Sequence, residues 1–307
     1  MSQRAEQVAN AVLYEGYMLY PYRPSAVKNR QRFNFGVVYP EGSKEGPSSI
    51  ETQCLTVIRP GTPAALDVKV RFLHLCARTS GDTDAAWQEA VECEVLVSDY
   101  TLGDAIIRSF AFPANRSRDG RIVREQQRLE GLVELSAEKV EADLLRIAVD
   151  VRNLTPLEAT VTRDAELLRS LVSVHTILSL RGAEFVSLID PPEAYRLAAE
   201  QCRNTGTWPV LVGEEGERNV MLSSPIILYD YPQIAPESPG DLCDGTEIDE
   251  ILSLRILTLT DEEKREMRHS DERARRILER TEALPEERWM KLHGVLRGLR
   301  PGSEVIR

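Results

Sequence analysis

The stretch Leu66-Asp67-Val68-Lys69-Val70-Arg71-Phe72-Leu73-His74-Leu75-Cys76 decides the fold class. Leu66, Val68, Val70, Phe72, His74 and Cys76 share one side of an extended chain and Asp67, Lys69, Arg71, Leu73 and Leu75 the other, because successive side chains of a strand point to opposite faces. That is a strand with one buried face. The pattern returns where Val91, Cys93, Val95 and Val97 alternate with Glu92, Glu94, Leu96 and Ser98, and where Leu145, Ile147, Val149 and Val151 alternate with Arg146, Ala148, Asp150 and Arg152. Gly, Pro, Asp and Ser clusters separate these runs, so the region from about Ile50 to Pro156 reads as an antiparallel sheet or sandwich.

Beyond Thr155-Pro156 the period lengthens. Leu167, Leu171, Val174 and Leu178 recur at helical spacing and Gly182 suits a helix end. Phe185–Ile189 reads as a strand, Pro191 and Pro192 suit the opening of a helix through Ala194, Leu197 and Ala198, and Thr207–Val212 and Val220–Tyr229 read as two more strands. Pro225 interrupts the last, which predicts a sheet edge or a bulge. Thr260-Asp261-Glu262-Glu263 is a capping box opening a charged helix toward Thr281, and a final helix begins at Pro285. Upstream, Ser2 can cap a short helix carrying Ala5, Val8, Ala9, Val12 and Leu19 that stops before Pro21. The expected class is α+β: an N-terminal helix and arm (1–49), an antiparallel β domain (50–158), and a mixed α/β domain with C-terminal helices (159–307).

The 307 residues carry a formal net charge of −11 and are 42% hydrophobic, enough to bury a substantial core. Such acidity opposes wholesale binding to nucleic acid or anionic membrane. No apolar run is long enough to span a bilayer, and the N-terminal residues lack the apolar stretch of a secretory signal. A cytoplasmic location is expected from these two features, and Cys54, Cys76, Cys93, Cys202 and Cys243, odd in number and widely spaced, argue against a disulfide framework or a zinc site and for reduced thiols.

The locally basic exception is Glu15–Gly36, which concentrates Tyr17, Tyr20, Tyr22, Arg23, Lys28, Arg30 and Arg32. Two readings compete. In one, Tyr17, Tyr20, Phe33 and Phe35 form an arm packed across the sheet while the arginines snorkel outward. In the other, the rings and guanidinium forks are an interface, since Tyr and Arg dominate binding hot spots. Stacking of single-stranded nucleic acid on the same rings is a lesser option that the overall acidity opposes.

Catalytic signals are sparse. His74, His175, His269 and His293 lie in core-like or highly charged contexts, and the nucleophile elbows, zinc helices and phosphate loops of common enzyme classes do not occur. Asp241, Cys243, Asp244 and Glu247, with Asp249 and Glu250, supply oxygen and thiolate ligands in one loop, but their spacing is not that of an EF-hand. That loop reads as a solvated connection leading to a helix cap at Asp244 or Thr246, as an acidic lip for a basic partner or for the chain's own arginines, or as a metal or enzyme site. No cofactor is expected.

The strings Glu15–Arg32, Trp208–Gly213 and Leu222–Ser238 resemble those of an uncharacterised bacterial family encoded beside high-affinity, actinobacterial-type nickel-iron hydrogenases. The resemblance implies an accessory or maturation role and supplies no catalytic residues. The leading expectation is therefore a non-catalytic protein that docks on a hydrogenase subunit or maturation factor. Tyr17, Tyr20, Tyr22, Arg23, Lys28, Arg30 and Arg32 would serve with Tyr229 and Tyr231 of the stiff loop near Pro232–Pro239. The rival is a metal-binding protein or enzyme centred on Asp241–Glu250.

Overall fold

The computed structural model describes residues 3–23, 26–30, 32–59, 61–80, 83–158, 161–234, 242–243 and 249–285. Among them are six α-helices and twelve strands, and every strand pairing is antiparallel. The first sheet has five strands in the order β10 (Ala183–Phe185), β1 (Ser49–Ile58), β8 (Leu144–Asn153), β7 (Leu129–Lys139), β4 (Ile106–Phe112). The second has seven. Along it run β11 (Trp208–Leu211), β12 (Val220–Ser224), β9 (Val172–Arg181), β2 (Ala65–Ser80), β6 (Ile122–Gln126) and β5 (Asn115–Asp119), with β3 (Thr83–Thr101) paired to β2.

The alternating runs become β2, β3 and β8, and their inward residues meet. Val68, Val70, Phe72, Val95 and Val97 from one sheet share a core with Val133, Leu135, Ile147, Val149 and Val151 from the other. β2 is long enough to use both edges. It pairs with β3 along one side, and on the other with β9 near its start and β6 at its end.

Its second face is not exposed. Leu73 and Leu75 are buried in a separate cluster formed by the N-terminal arm and by α4 (Asp249–Leu257), α5 (Asp261–Ser270) and α6 (Glu272–Glu282). Helix α1 (Gln3–Val12) covers the neighbouring part of the same sheet, setting Ala5, Val8 and Ala9 on Ile177, Val210, Val212, Val220 and Leu222. Arg71, also on that outer face, is enclosed by Glu6 of α1 and by Glu92 and Glu94 of β3. The molecule is a two-sheet sandwich whose larger sheet carries a helical layer.

Several expectations are corrected. The strands do not divide by halves of the chain, because β9 pairs with β2 and β10 with β1 across the boundary expected near residue 158. The helical stripe from Leu167 to Leu178 exists only as α2 (Arg163–Leu167); Val172–Arg181 is strand β9. Val174 and Leu178 lie on the core face of β9, where Val172, Val174, Leu178 and Leu180 alternate with Ser173, His175, Ser179 and Arg181, and their spacing of four also fits a helix when read with Leu167 and Leu171. Gly182, expected to end a helix, makes the tight connection from β9 to β10 at φ +73°, where a Cβ would lie 2.3 Å from the Pro63 carbonyl oxygen.

Strand β10 stops at Phe185, short of the expected Ile189. Pro191 and Pro192 precede a 3-10 turn (Glu193–Tyr195) and α3 (Arg196–Glu200), which buries Ala198 and Ala199 but exposes Leu197. β12 ends at Ser224, before Pro225, and Pro209 sits on β11 at the sheet edge, where a missing N–H is tolerated.

The charged helix opens at the expected capping box: Glu263 N–H donates to Thr260 Oγ1 at 3.3 Å, and Thr260 N–H donates to Glu263 Oε2 at 2.9 Å. It does not run on to Thr281. Asp271 takes an extended conformation that ends α5, and its Oδ1 accepts from Arg273 and Ala274 N–H to start α6. Thr260→Ala is expected to cost about 1 kcal/mol of unfolding free energy, measured by urea denaturation. The caps expected at Ser2, Asp244 and Thr246, and the helix from Pro285 onward, lie outside the described residues or run into them.

Candidate interaction surface

The aromatic-basic block is largely internal. Tyr17 and Tyr22 are 2% and 0% exposed. The Tyr17 hydroxyl donates to Asp271 Oδ2 at 2.5 Å and that of Tyr22 to the Leu242 carbonyl at 2.8 Å, fastening the arm to the segments around α4–α6. Arg32 is buried over the rings of Tyr17 and Phe33 and donates to the carbonyls of Tyr17 and Gln88, each at 3.1 Å. Burial lowers its pKa to about 10, with Tyr17, Asp271 and Asp164 opposing the drop, so it stays cationic at neutral pH. The Tyr17 phenol is pushed well up by burial and then by the Asp271 carboxylate.

Tyr17, Tyr22 and Arg32 therefore cannot be the docking contacts expected of them. The physical reason is that the outer face of β2 presents apolar Leu73 and Leu75, which must be covered. The arm supplies the cover. Arg23 is half-buried and pairs with Glu263 at 2.9 Å and Glu266 at 3.6 Å, so its charge is spent on α5. Tyr20 is half-buried, edge-on to Tyr22 and beneath Arg255. Lys28 is exposed on the 3-10 turn Val27–Arg30, and the Arg30 side chain lies outside what is described. Neither competing reading holds whole: the arm is packed, yet Arg32 points inward.

Of the acidic loop, Leu242 and Cys243 are described and buried, and Asp249 and Glu250 open α4; Asp241, Asp244 and Glu247 lie outside the described residues. The Cys243 carbonyl accepts from Gly16 N–H at 2.9 Å, another tie to the arm. Among the described residues no group of three His, Cys, Asp or Glu is placed to hold a metal ion. His175 lies on β9 and His74 on β2, both buried, and burial lowers each pKa to about 4.

The expected pair Tyr229 and Tyr231 is different. After β12 the chain bends at Pro225 and Ile226, and exposure then alternates: Ile227 and Tyr229 are 73% and 60% exposed, while Leu228 packs on the α1 cluster. Ile234 is a further exposed apolar side chain, and Tyr231 packs against the sandwich core. Asp230 pins the segment, its Oδ1 accepting from Leu211 N–H at 2.8 Å and its Oδ2 from Ser187 Oγ at 2.5 Å. Tyr231 N–H donates to the Leu211 carbonyl at 2.7 Å.

At its root Gly36 approaches Pro225 so closely that a Cβ would lie 2.5 Å from the proline ring. The arm thereby abuts this segment. Sequence reasoning found Tyr229 by its proximity to the prolines but missed Ile227 and Ile234. For Ile227 the available signal was its alternation with Leu228 and Tyr229, and it was absorbed into a strand that in fact ends at Ser224.

No helix among the described residues is long and apolar enough to cross a membrane. No known family model matches the chain, and none of the curated proteins is similar to it.

Proposed function

We propose that this chain is a non-catalytic accessory protein that binds a partner protein through the segment Ile227–Ile234. The partner is the one that the resemblance implies, a nickel-iron hydrogenase subunit or maturation factor. The observation that carries this reading is that large apolar side chains stand outward on a backbone held at both Asp230 and Tyr231. Rigid apolar anchors lose little entropy on docking, and one aromatic among them is the usual form of a hot spot.

The test is affinity capture with the full chain against the large and small subunits and maturation factors of the neighbouring hydrogenase, each produced separately. Capture of one of them is expected, weakened roughly thirtyfold or more by Tyr229→Ala with Ile227→Asp, a hot-spot loss of about 2 kcal/mol or more. Equal capture by wild type and variant, both retaining the native circular dichroism spectrum, would assign the contact elsewhere. No capture at all would remove the accessory reading.

A further inference from the structure

Far from that segment along the larger sheet, where β2, β3 and β6 meet α5 and α6, lies a cleft of about 520 Å³. Among the described residues it is lined by Arg78 and Arg124 on the sheet side and by Arg268, Arg273, Arg275 and Arg276 on the helix side. Four carboxylates also line it, those of Glu89, Asp119, Asp271 and Glu272. Six guanidinium groups against four carboxylates make a local positive excess in a chain of net charge −11.

The excess has a specific structure. Glu89 lies between Arg78 at 3.2 Å and Arg124 at 2.6 Å, and Glu272 between Arg275 at 2.5 Å and Arg276 at 3.1 Å. Glu282 likewise serves both Arg268 at 2.8 Å and Lys264 at 3.3 Å. The Glu89 and Glu282 nodes each hold two cations on one carboxylate, whereas Arg275 is also paired with Glu279 at 3.8 Å and Arg273 with Glu92 at 3.7 Å, so the excess lies at Glu89 and Glu282.

The walls are held in place. Arg78 Nη1 donates to the Ser270 carbonyl at 2.7 Å, and Tyr17 holds Asp271, the cap from which α6 starts. The N-terminus of that eleven-residue helix adds partial positive charge to the same space.

We infer that this cleft binds a small soluble compound carrying phosphoryl groups. The two oxygens of a carboxylate are already shared between two guanidinium groups at Glu89 and at Glu272, whereas a phosphoryl group offers three oxygens and accepts forks from several directions. Cations arriving from two walls fit the second geometry. The volume is that of a small-molecule site. The three rings in the cleft are already engaged: the Arg273 guanidinium lies 3.2 Å over the centre of Tyr14, which meets Tyr17 edge-on, Arg32 lies over Tyr17, and His269 is tied through Nδ1 to the Arg265 carbonyl at 2.6 Å. Recognition therefore runs through phosphate charge, with no stacking of a nucleobase. This inference is independent of the partner-binding segment.

Calorimetric titration of the full chain with inorganic tripolyphosphate tests it. Binding is expected, weakening as salt rises from about 50 to about 300 mM, and falling roughly tenfold or more in Arg124→Ala with Arg276→Ala, since charge-assisted bonds carry it. Each of these arginines shares its carboxylate with a second cation, so neither removal leaves an unpaired acid. If the double variant does not fold, Arg276→Ala alone, at a mostly exposed position, is expected to show the same direction.

Absence of tripolyphosphate binding, or unchanged binding in a folded variant, overturns the inference. So does a hexaglutamate peptide binding as tightly as tripolyphosphate, which would make the cleft a seat for acidic protein segments. ATP binding no more tightly than tripolyphosphate is expected; much tighter binding would refute recognition without the base.

Discussion

Arg32→Ala is expected to lower the unfolding free energy by about 3 kcal/mol or more, the range for breaking a buried charged contact. The side chain lies between Tyr17 and Phe33 and donates to two carbonyls, those of Tyr17 and Gln88. Alanine removes both donor bonds, deprives the buried Tyr17 carbonyl of this partner and opens a cavity beneath the arm. Arg32→Lys should recover only part of the loss, because one ammonium cannot span the two carbonyls as a planar fork does. Tyr17→Phe, which removes the donor to Asp271, should cost about 1.5–3 kcal/mol as a bond to a charged group. Urea denaturation at neutral pH measures all three. A loss under about 1 kcal/mol for Arg32→Ala would mean that the arm is not fastened by this residue, and that the helical layer is held mainly by its apolar contacts.

Mild acid should destabilise the fold before its carboxylates titrate. Burial lowers the pKa values of His74 and His175 to about 4 from the ordinary 6.5. Between those values the unfolded chain binds protons that the folded chain does not, so stability falls as pH drops from about 6.5 to about 4 and levels below that. A depression of this size corresponds to roughly 3 kcal/mol per histidine at the low end.

His175 is the cleaner probe. It is fully buried on β9, its Nδ1 lies 2.8 Å from the Ser173 carbonyl, and Arg71 adds to the cost of charging it. The carbonyl bond places its proton on Nδ1 in the neutral form. His175→Leu should lower stability at neutral pH and remove about one proton from the pH dependence between about 4 and 6.5. Denaturation curves over that range that run parallel for wild type and variant would contradict this account.

The strands β2, β3 and β8 were legible because a face in contact with a core and a face carrying Lys, Arg, Asp and Glu leave a period of two in the chain. The capping box at Thr260 was legible for the same kind of reason, its partners being three residues apart. β9 was not. Val172, Val174, Thr176, Leu178 and Leu180 do alternate with Ser173, His175, Ile177, Ser179 and Arg181, but Leu167, Leu171, Val174 and Leu178 also fit helical spacing, so the same short stretch satisfied both periods.

The basic cleft was still less accessible. Arg78, Arg124 and Arg276 come from β2, β6 and α6, and only the sheet order and the seating of α6 make them neighbours. The density of arginine between Arg265 and Arg280 was visible but had no assigned place.

By itself the sequence determined the class, α+β with antiparallel sheets, since alternation, turns and caps are local properties written into neighbouring residues. Only the tertiary structure decided which faces of those elements meet solvent. The Glu15–Gly36 block has the composition of a binding surface, yet it is consumed in covering Leu73 and Leu75 and in fastening the C-terminal helices. Exposure is a property of what packs on a residue and not of the residue itself. A tyrosine or arginine suits a buried clamp as well as an outward contact, and the partners that choose between the two lie more than two hundred positions away in the chain.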